Sequence, residues 1–212
     1  MNNLAEQQEQ TNVITPAEAS EYDFIICIDQ SGSMASPSPT MKGKNLWEEA
    51  EEFTVGLAHF ADKVDDDGLT VITFNSNVDV VDGVHAADVA KVFKEHTPMG
   101  GTATNKALDA AFKKHFSIGK PSIVFVLTDG QPNDPDAVAD SIIEATKKIS
   151  KNEELAIQFI QLGDDKGAAK FLTSLDDDLE AKGAKFDIVN ALPREEAEGY
   201  TIEQLLWLAI ND

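Results

Sequence analysis

Short apolar runs alternate along the chain with longer amphipathic stretches. The runs occupy 23–28, 69–74, 122–128, 155–162 and 186–189, each of strand length and bounded by polar or glycine-containing turns. Asn77-Val78-Asp79-Val80-Val81 follows Phe74 closely enough for a hairpin, which predicts a short antiparallel edge strand. Between the runs the period becomes helical. Leu46, Ala50, Phe53, Leu57, Phe60 and Val64 recur at three- and four-residue steps, with Glu48, Glu49, Glu51 and Glu52 placed partly on the wet side. Ala107, Leu108, Ala111 and Phe112 make a second stripe, and Val138, Ile142, Ala145 and Ile149 a third. Ala168, Phe171, Leu172, Leu175 and Leu179 make a fourth. Thr201-x-x-Gln204 is a capping box and predicts a last helix presenting Leu205, Leu206 and Leu208.

Near-continuous apolar strands separated by helices indicate a mainly parallel sheet covered on both faces. The expected fold is therefore α/β and doubly wound (Rossmann-like), with six strands, one of them a short antiparallel edge. Residues 1–20 are rich in Gln, Asn, Glu and Thr, and only Val13-Ile14 offers an anchor, so they are expected to be a disordered tail preceding one domain over 21–212. In open parallel sheets ligands bind beyond the carboxyl ends of the strands. That places any function in the loops that follow them.

Charge narrows the partners. The 212 residues carry 38 acidic and 17 basic side chains, a net charge of −21. A surface this negative repels nucleic-acid phosphate and anionic lipid and gathers divalent cations. One cysteine, Cys27, lies inside Phe24-Ile25-Ile26-Cys27-Ile28, which excludes a disulfide framework or a cysteine-built zinc site and reads as a buried, inert thiol. No stretch approaches the roughly 20 apolar residues of a membrane span, and the start lacks a secretory pattern, so a cytoplasmic protein, monomeric when unbound, is expected.

Three strand-end loops concentrate oxygen ligands. Asp29-Gln30-Ser31-Gly32-Ser33-Met34 follows the first strand, Met99-Gly100-Gly101-Thr102-Ala103-Thr104 enters the second helical stripe, and Thr128-Asp129-Gly130 ends the most apolar strand. Carboxylate, hydroxyl and water oxygens suit a hard cation, and Mg²⁺ takes near-octahedral oxygen coordination at roughly 2.0–2.1 Å. Two carboxylates balance its charge, and the set is too small to close the shell. The open position suits an Asp or Glu from a partner protein.

Asp29-x-Ser31-x-Ser33, a Gly-Gly-Thr102 loop and Thr128-Asp129-Gly130, in that order on an α/β pattern, resemble a von Willebrand factor A domain over roughly residues 21–212. The resemblance implies a metal-ion-dependent adhesion site. Carried over by position, Ser31, Ser33 and Thr102 contact Mg²⁺ (or Mn²⁺), and Asp29 and Asp129 bind it directly or through water. It also implies a protein-binding rather than enzymatic role, of the intracellular type, since the cysteines and leader common in extracellular members are lacking. Loops beside the site set specificity in this family. Met34, Ser36, Met99, Gly100, Gly101 and Gln131 are the expected partner contacts, and the segment 35–44 is expected to be flexible. Given the chain's charge, the partner's carboxylate should sit in a basic surround.

Other features carry blander readings. Thr104 is structural, at a helix starting near Asn105, and Asp134-Pro135 is an N-cap followed by proline at the first helical position. Asp65-Asp66-Asp67 and Asp176-Asp177-Asp178 lack calcium-loop spacing and read as solvated. His59, His85, His96 and His115 form no ligand spacing, and Trp47 and Trp207 fall on helical stripes as packing residues. Two other functions stay open. Asp29 is similar in position to the nucleophile of haloacid dehalogenase-type phosphatases, although Ser31 stands where those have a second Asp, so a Mg²⁺-dependent hydrolase is one alternative. A metal-free scaffold in a larger assembly is the other.

Overall fold

The computed structural model describes residues 12–211. A six-stranded sheet is built from β1 (Asp23–Asp29), β2 (Leu69–Phe74), β3 (Val78–Val84), β4 (Ser122–Thr128), β5 (Leu155–Gln161) and β6 (Val189–Pro193), in the order β3-β2-β1-β4-β5-β6. β3 alone is antiparallel, paired to β2. The other strands pair in parallel. The helices are α1 (Pro16–Ala19), α2 (Leu46–Val64), α3 (Val89–Glu95), α4 (Thr104–Ile118), α5 (Pro135–Thr146), α6 (Lys166–Asp177), α7 (Arg194–Ala197) and α8 (Ile202–Ile210). This is the doubly wound α/β fold expected from the alternating pattern.

Strand geometry sorts the core into two layers, because successive side chains point to opposite faces. Phe24, Ile26 and Ile28 of β1 pack with Leu46, Ala50, Phe53 and Leu57 of α2 and with Leu205 and Leu206 of α8. Ile25 and Cys27 face the other way, into Ala107, Leu108 and Ala111 of α4, Val138 and Ile142 of α5, and Leu172 of α6. Cys27 is fully buried, and burial pushes its thiol pKa well above the usual range. Trp47 packs on Phe93 of α3, with ring centroids 4.5 Å apart. The capping boxes of α2 (Asn45 with Glu48) and α8 (Thr201 with Gln204) are both formed, and Asp134 caps α5 by accepting from the Ala137 N–H at 3.0 Å.

The structure corrects several expectations. Residues 1–11 lie outside the described residues, but 14–20 are not a tail. Thr15 and Glu18 form a capping box around α1, Ile14 and Ala19 are buried in the first core layer, and the Ile14 N–H donates to the Glu203 carbonyl at 3.2 Å. The sixth strand begins at Val189, later than the apolar run 186–189, because pairing with β5 starts at Ile157↔Val189. Phe186 instead packs beside the second layer from a loop. Proline can end this strand because β6 is an edge. Thr104 is the first residue of α4, and the N-cap is Ala103, with no side-chain cap bond. Asp176 and Asp177 end a helix and do not lie in a loop. Glu49, expected partly on the wet side, is fully buried, in an ion pair with Arg194.

Among the described residues no helix is long and apolar enough to cross a membrane. The placement of Ile14 predicts that Ile14→Ala costs about 2–4 kcal/mol in urea unfolding. Val13→Ala, at a 39 % exposed position, should change stability by less than about 0.5 kcal/mol.

Candidate functional site

The sheet order reverses at β1, whose neighbours are β2 on one side and β4 on the other. Connections leaving β1 and β4 therefore diverge, and a crevice opens at their carboxyl ends. Asp29 is the last residue of β1, and Asp129 directly follows β4.

The first loop is held tightly. The Ser31 N–H donates to Asp29 Oδ1 at 2.8 Å, and the Thr128 hydroxyl donates to Asp29 Oδ2 at 2.7 Å. Ser31 and Ser33 place their hydroxyls 3.0 Å apart, and the Ser33 hydroxyl donates to Asp129 Oδ1 at 2.9 Å. Four of the expected residues, Asp29, Ser31, Ser33 and Asp129, thus form one continuous polar cluster.

Thr102 joins through its backbone. The Gly32 N–H donates to the Gly100 carbonyl at 3.3 Å, binding the glycine loop to the serine loop. The Asn133 N–H donates to the Thr102 carbonyl at 2.8 Å, and the Thr102 N–H donates to Asn133 Oδ1 at 3.2 Å. Gly100 adopts φ of +82°, a left-handed conformation that favours glycine. A Cβ on Gly101 would stand 2.8 Å from Asn133 Nδ2, so a side chain there would displace the amide that holds Thr102.

Three residues that sequence reasoning did not assign to the site build it. Gln30 spans two loops: its side chain donates to the Thr97 carbonyl at 2.8 Å, its N–H to the Phe74 carbonyl at 2.6 Å, and its carbonyl accepts from the Met99 N–H at 2.7 Å. Thr128 orients Asp29, and Asn133 orients Thr102. Gln30 and Thr128 fall inside the oxygen-bearing loops named from the sequence, without a role, and Asn133 carries no sequence signal.

The expected partner contacts divide. Ser36, Met99, Gly100 and Gln131 are exposed, Met99 at 59 %, and Gly101 is partly so. Met34 is fully buried in the first core layer, because the 3₁₀ turn Gly32–Ala35 swings it inward, so its side chain cannot meet a partner. Nor is the segment 35–44 an open tether. Pro37 bridges Asn45, the Ser38 N–H donates to the Lys44 carbonyl at 2.8 Å, and the Leu46 N–H donates to the Ser36 carbonyl at 3.0 Å.

Electrostatically the site is two buried carboxylates close together. Among the described residues neither Asp29 nor Asp129 forms an ion pair. Burial, with a smaller contribution from the charge of Asp129, pushes the Asp29 pKa up to about 6 against the hydrogen bonds of Thr128 and Ser31. Burial also raises Asp129, helped by the charge of Asp165. Two buried carboxylates and two serine hydroxyls, with Thr102 on the loop that Gly100 ties to Gly32, offer an all-oxygen donor set that fits a hard divalent cation. Among the described residues no group of three or more His, Cys, Asp and Glu side chains gathers into a metal site, and this cluster itself offers two carboxylates with hydroxyls. A groove of about 550 Å³ between α4 and α5, lined by Phe112, Phe116 and Glu144, lies on the flank of the sheet and contains none of these groups.

Comparison with known proteins agrees with this geometry at the level of fold. No curated protein matches the sequence. A von Willebrand factor type A protein from Catenulispora acidiphila superposes with a TM-score of 0.61 at 16 % identity, over 88 % of this chain and 42 % of that one, so this chain spans less than half the length of that relative. Manganese-loaded TRAP from Plasmodium vivax gives 0.59 at 17 % identity, over 90 % and 74 % of the two chains. The pilus adhesin SpaC from Lactobacillus rhamnosus GG gives 0.60 at 15 % identity, over 89 % and 30 %. Identities this low establish the fold alone. The family model for the von Willebrand factor type A domain matches residues 24–131, just over half of the sequence and all three oxygen-bearing loops, and the chain belongs to that family.

Proposed function

We propose that this chain is a metal-dependent protein-binding module. Asp29, Ser31, Ser33, Thr102 and Asp129 hold Mg²⁺ or Mn²⁺ in a metal-ion-dependent adhesion site, and a partner protein supplies an Asp or Glu carboxylate to the open position. The observation that carries this reading is the pair of buried carboxylates, joined through the Ser33 hydroxyl to the serine pair and, among the described residues, paired with no basic side chain. A divalent ion supplies the missing positive charge and explains why hydroxyls surround it. The manganese-loaded state of the Plasmodium relative supports a divalent ion, and the pilus adhesin relative supports binding over catalysis.

When bound, the ion supplies an electropositive point on an acidic surface. The protein's own residues do the rest. Thr128 and the Ser31 N–H fix the Asp29 carboxylate, Ser33 fixes Asp129, and Asn133 sets the height of the Thr102 loop. Met99, Gly100, Ser36 and Gln131 surround the opening and select what approaches. With a net charge of −21, the protein favours a partner whose carboxylate sits among basic side chains, and capture should weaken as salt rises.

Excess Mg²⁺ should raise the unfolding free energy by about 2.7 kcal/mol at a hundredfold excess over its Kd. Asp29→Ala should abolish that increment while the far-ultraviolet circular dichroism stays unchanged, and a parent protein indifferent to Mg²⁺ and Mn²⁺ in calorimetry would refute the reading. A second expectation has the opposite sign. In the metal-free protein Asp29 keeps its proton up to about pH 6, well above its ordinary value of 3.8, so unfolding releases a proton and stability falls as pH rises across that window. In chelator at pH 7.5, Asp29→Asn should therefore be more stable than the parent, by on the order of 2–3 kcal/mol, while losing all response to Mg²⁺. Urea titrations with and without chelator measure both.

A further inference from the structure

Glu49 lies in the first turn of α2, which follows the loop 36–44, and its side chain is fully buried. Its Oε1 accepts from the Thr40 hydroxyl at 2.7 Å and stands 3.1 Å from Arg194 Nε in an ion pair that lacks hydrogen-bond geometry, leaving both Arg194 Nε and Glu49 Oε2 buried with no hydrogen-bond partner. Arg194, 11 % exposed, follows β6 directly and lies 3.5 Å from Glu198 through Nη2. Thr40 in turn meets Ser38: the two hydroxyls are 3.2 Å apart, and Ser38 Oγ accepts the N–H groups of Thr40 and Met41 at 3.2 and 2.8 Å. One carboxylate oxygen therefore ties together the loop 36–44, the start of α2 and the β6–α7 junction.

A buried ion pair with an orphaned oxygen is a poor source of stability, since apolar side chains of similar volume hold a core as well or better. It does specify an arrangement, because the loop fits only where Thr40 meets the carboxylate. We propose that Glu49 is a positioning residue for the partner-facing loop: gripped by Arg194 on one side, it holds Thr40 on the other and so sets the wall formed by residues 36–44 beside the cation site. The significance of that wall rests on the cation-site reading above; the positioning itself does not.

The test uses the full chain and trypsin under native conditions in excess Mg²⁺. Lys42 and Lys44 lie in the tied loop, Lys44 paired with Glu52, and cutting there requires the loop to open. Thr40→Val removes the hydroxyl and keeps the shape, whereas Thr40→Ser keeps the hydroxyl. Cleavage after Lys42 and Lys44, located by mass spectrometry, should quicken about tenfold in Thr40→Val and stay near the parental rate in Thr40→Ser. Thr40→Val should lower the melting temperature by a few degrees, because it strips the buried carboxylate of its hydrogen bond, while cleavage at Lys113 in α4 and the Mg²⁺-induced shift should stay unchanged in both. The paired replacement Glu49→Leu with Arg194→Met, which leaves no buried charge unpartnered, should fold and be cut as fast as Thr40→Val. Unaltered cleavage in Thr40→Val, equal cleavage of the Val and Ser variants, or acceleration shared equally by Lys113 would overturn the proposal. A parent protein without any Mg²⁺ shift would instead refute the cation reading, and the cleavage rates would still decide the positioning role.

Discussion

The site depends on one electrostatic constraint, the confinement of Asp29 and Asp129 near the carboxyl ends of adjacent strands with no basic side chain to neutralise them. A folded protein normally avoids such a pair, because desolvation and repulsion both penalise the charged forms. Here the cost is held in place by neutral donors: the Thr128 hydroxyl and the Ser31 N–H on Asp29, and the Ser33 hydroxyl on Asp129. Neutral donors steady the carboxylates without cancelling their charge. The proposed divalent ion would supply that missing positive charge.

The fold makes this possible by where it places its switch point. β1 has β2 and β4 as neighbours, and loops leaving β1 and β4 separate toward opposite faces of the sheet. The glycine loop before α4 closes the crevice from the third side, tied to Gly32 at one end and to Asn133 at the other. Each loop is therefore fixed by the other two. The parallel strands beneath supply a rigid base, fully buried along β2 and β4. Around that base the rim is differentiated. Exposed Met99 and Gln131 contrast with the loop 36–44, which is closed on itself and moored inward through Thr40 and Glu49.

Much of this was legible in the residues. Apolar runs and helical stripes carried the strand count, the parallel character and the antiparallel edge, because burial on both faces imposes near-continuous hydrophobicity and the helix period repeats over several turns. Asp29, Ser31, Ser33 and Asp129 were recognisable as oxygen donors at strand ends, whereas Thr102, whose loop follows α3 and not a strand, was singled out by the family resemblance. Met34 was misread because its neighbours in sequence are polar. A single 3₁₀ turn sends it into the core, and no periodicity announces a turn of four residues. Ile14 was undervalued for a related reason: one apolar side chain in a polar lead-in has no pattern, only a place to go.

Local pattern thus determined the elements, their alternation and the kinds of chemical group at the strand ends, because those follow from short-range periodicity and composition. Tertiary structure decided which groups meet. Glu49 looks like one of four similar acidic residues on a helix, yet only it faces Arg194 and Thr40, partners 145 and nine positions away. Gln30, Thr128 and Asn133 likewise gain their roles from loops brought together by the sheet order. The physical reason is that a hydrogen bond or an ion pair acts over a few ångströms, and for residues far apart in sequence that proximity exists only once the chain has folded.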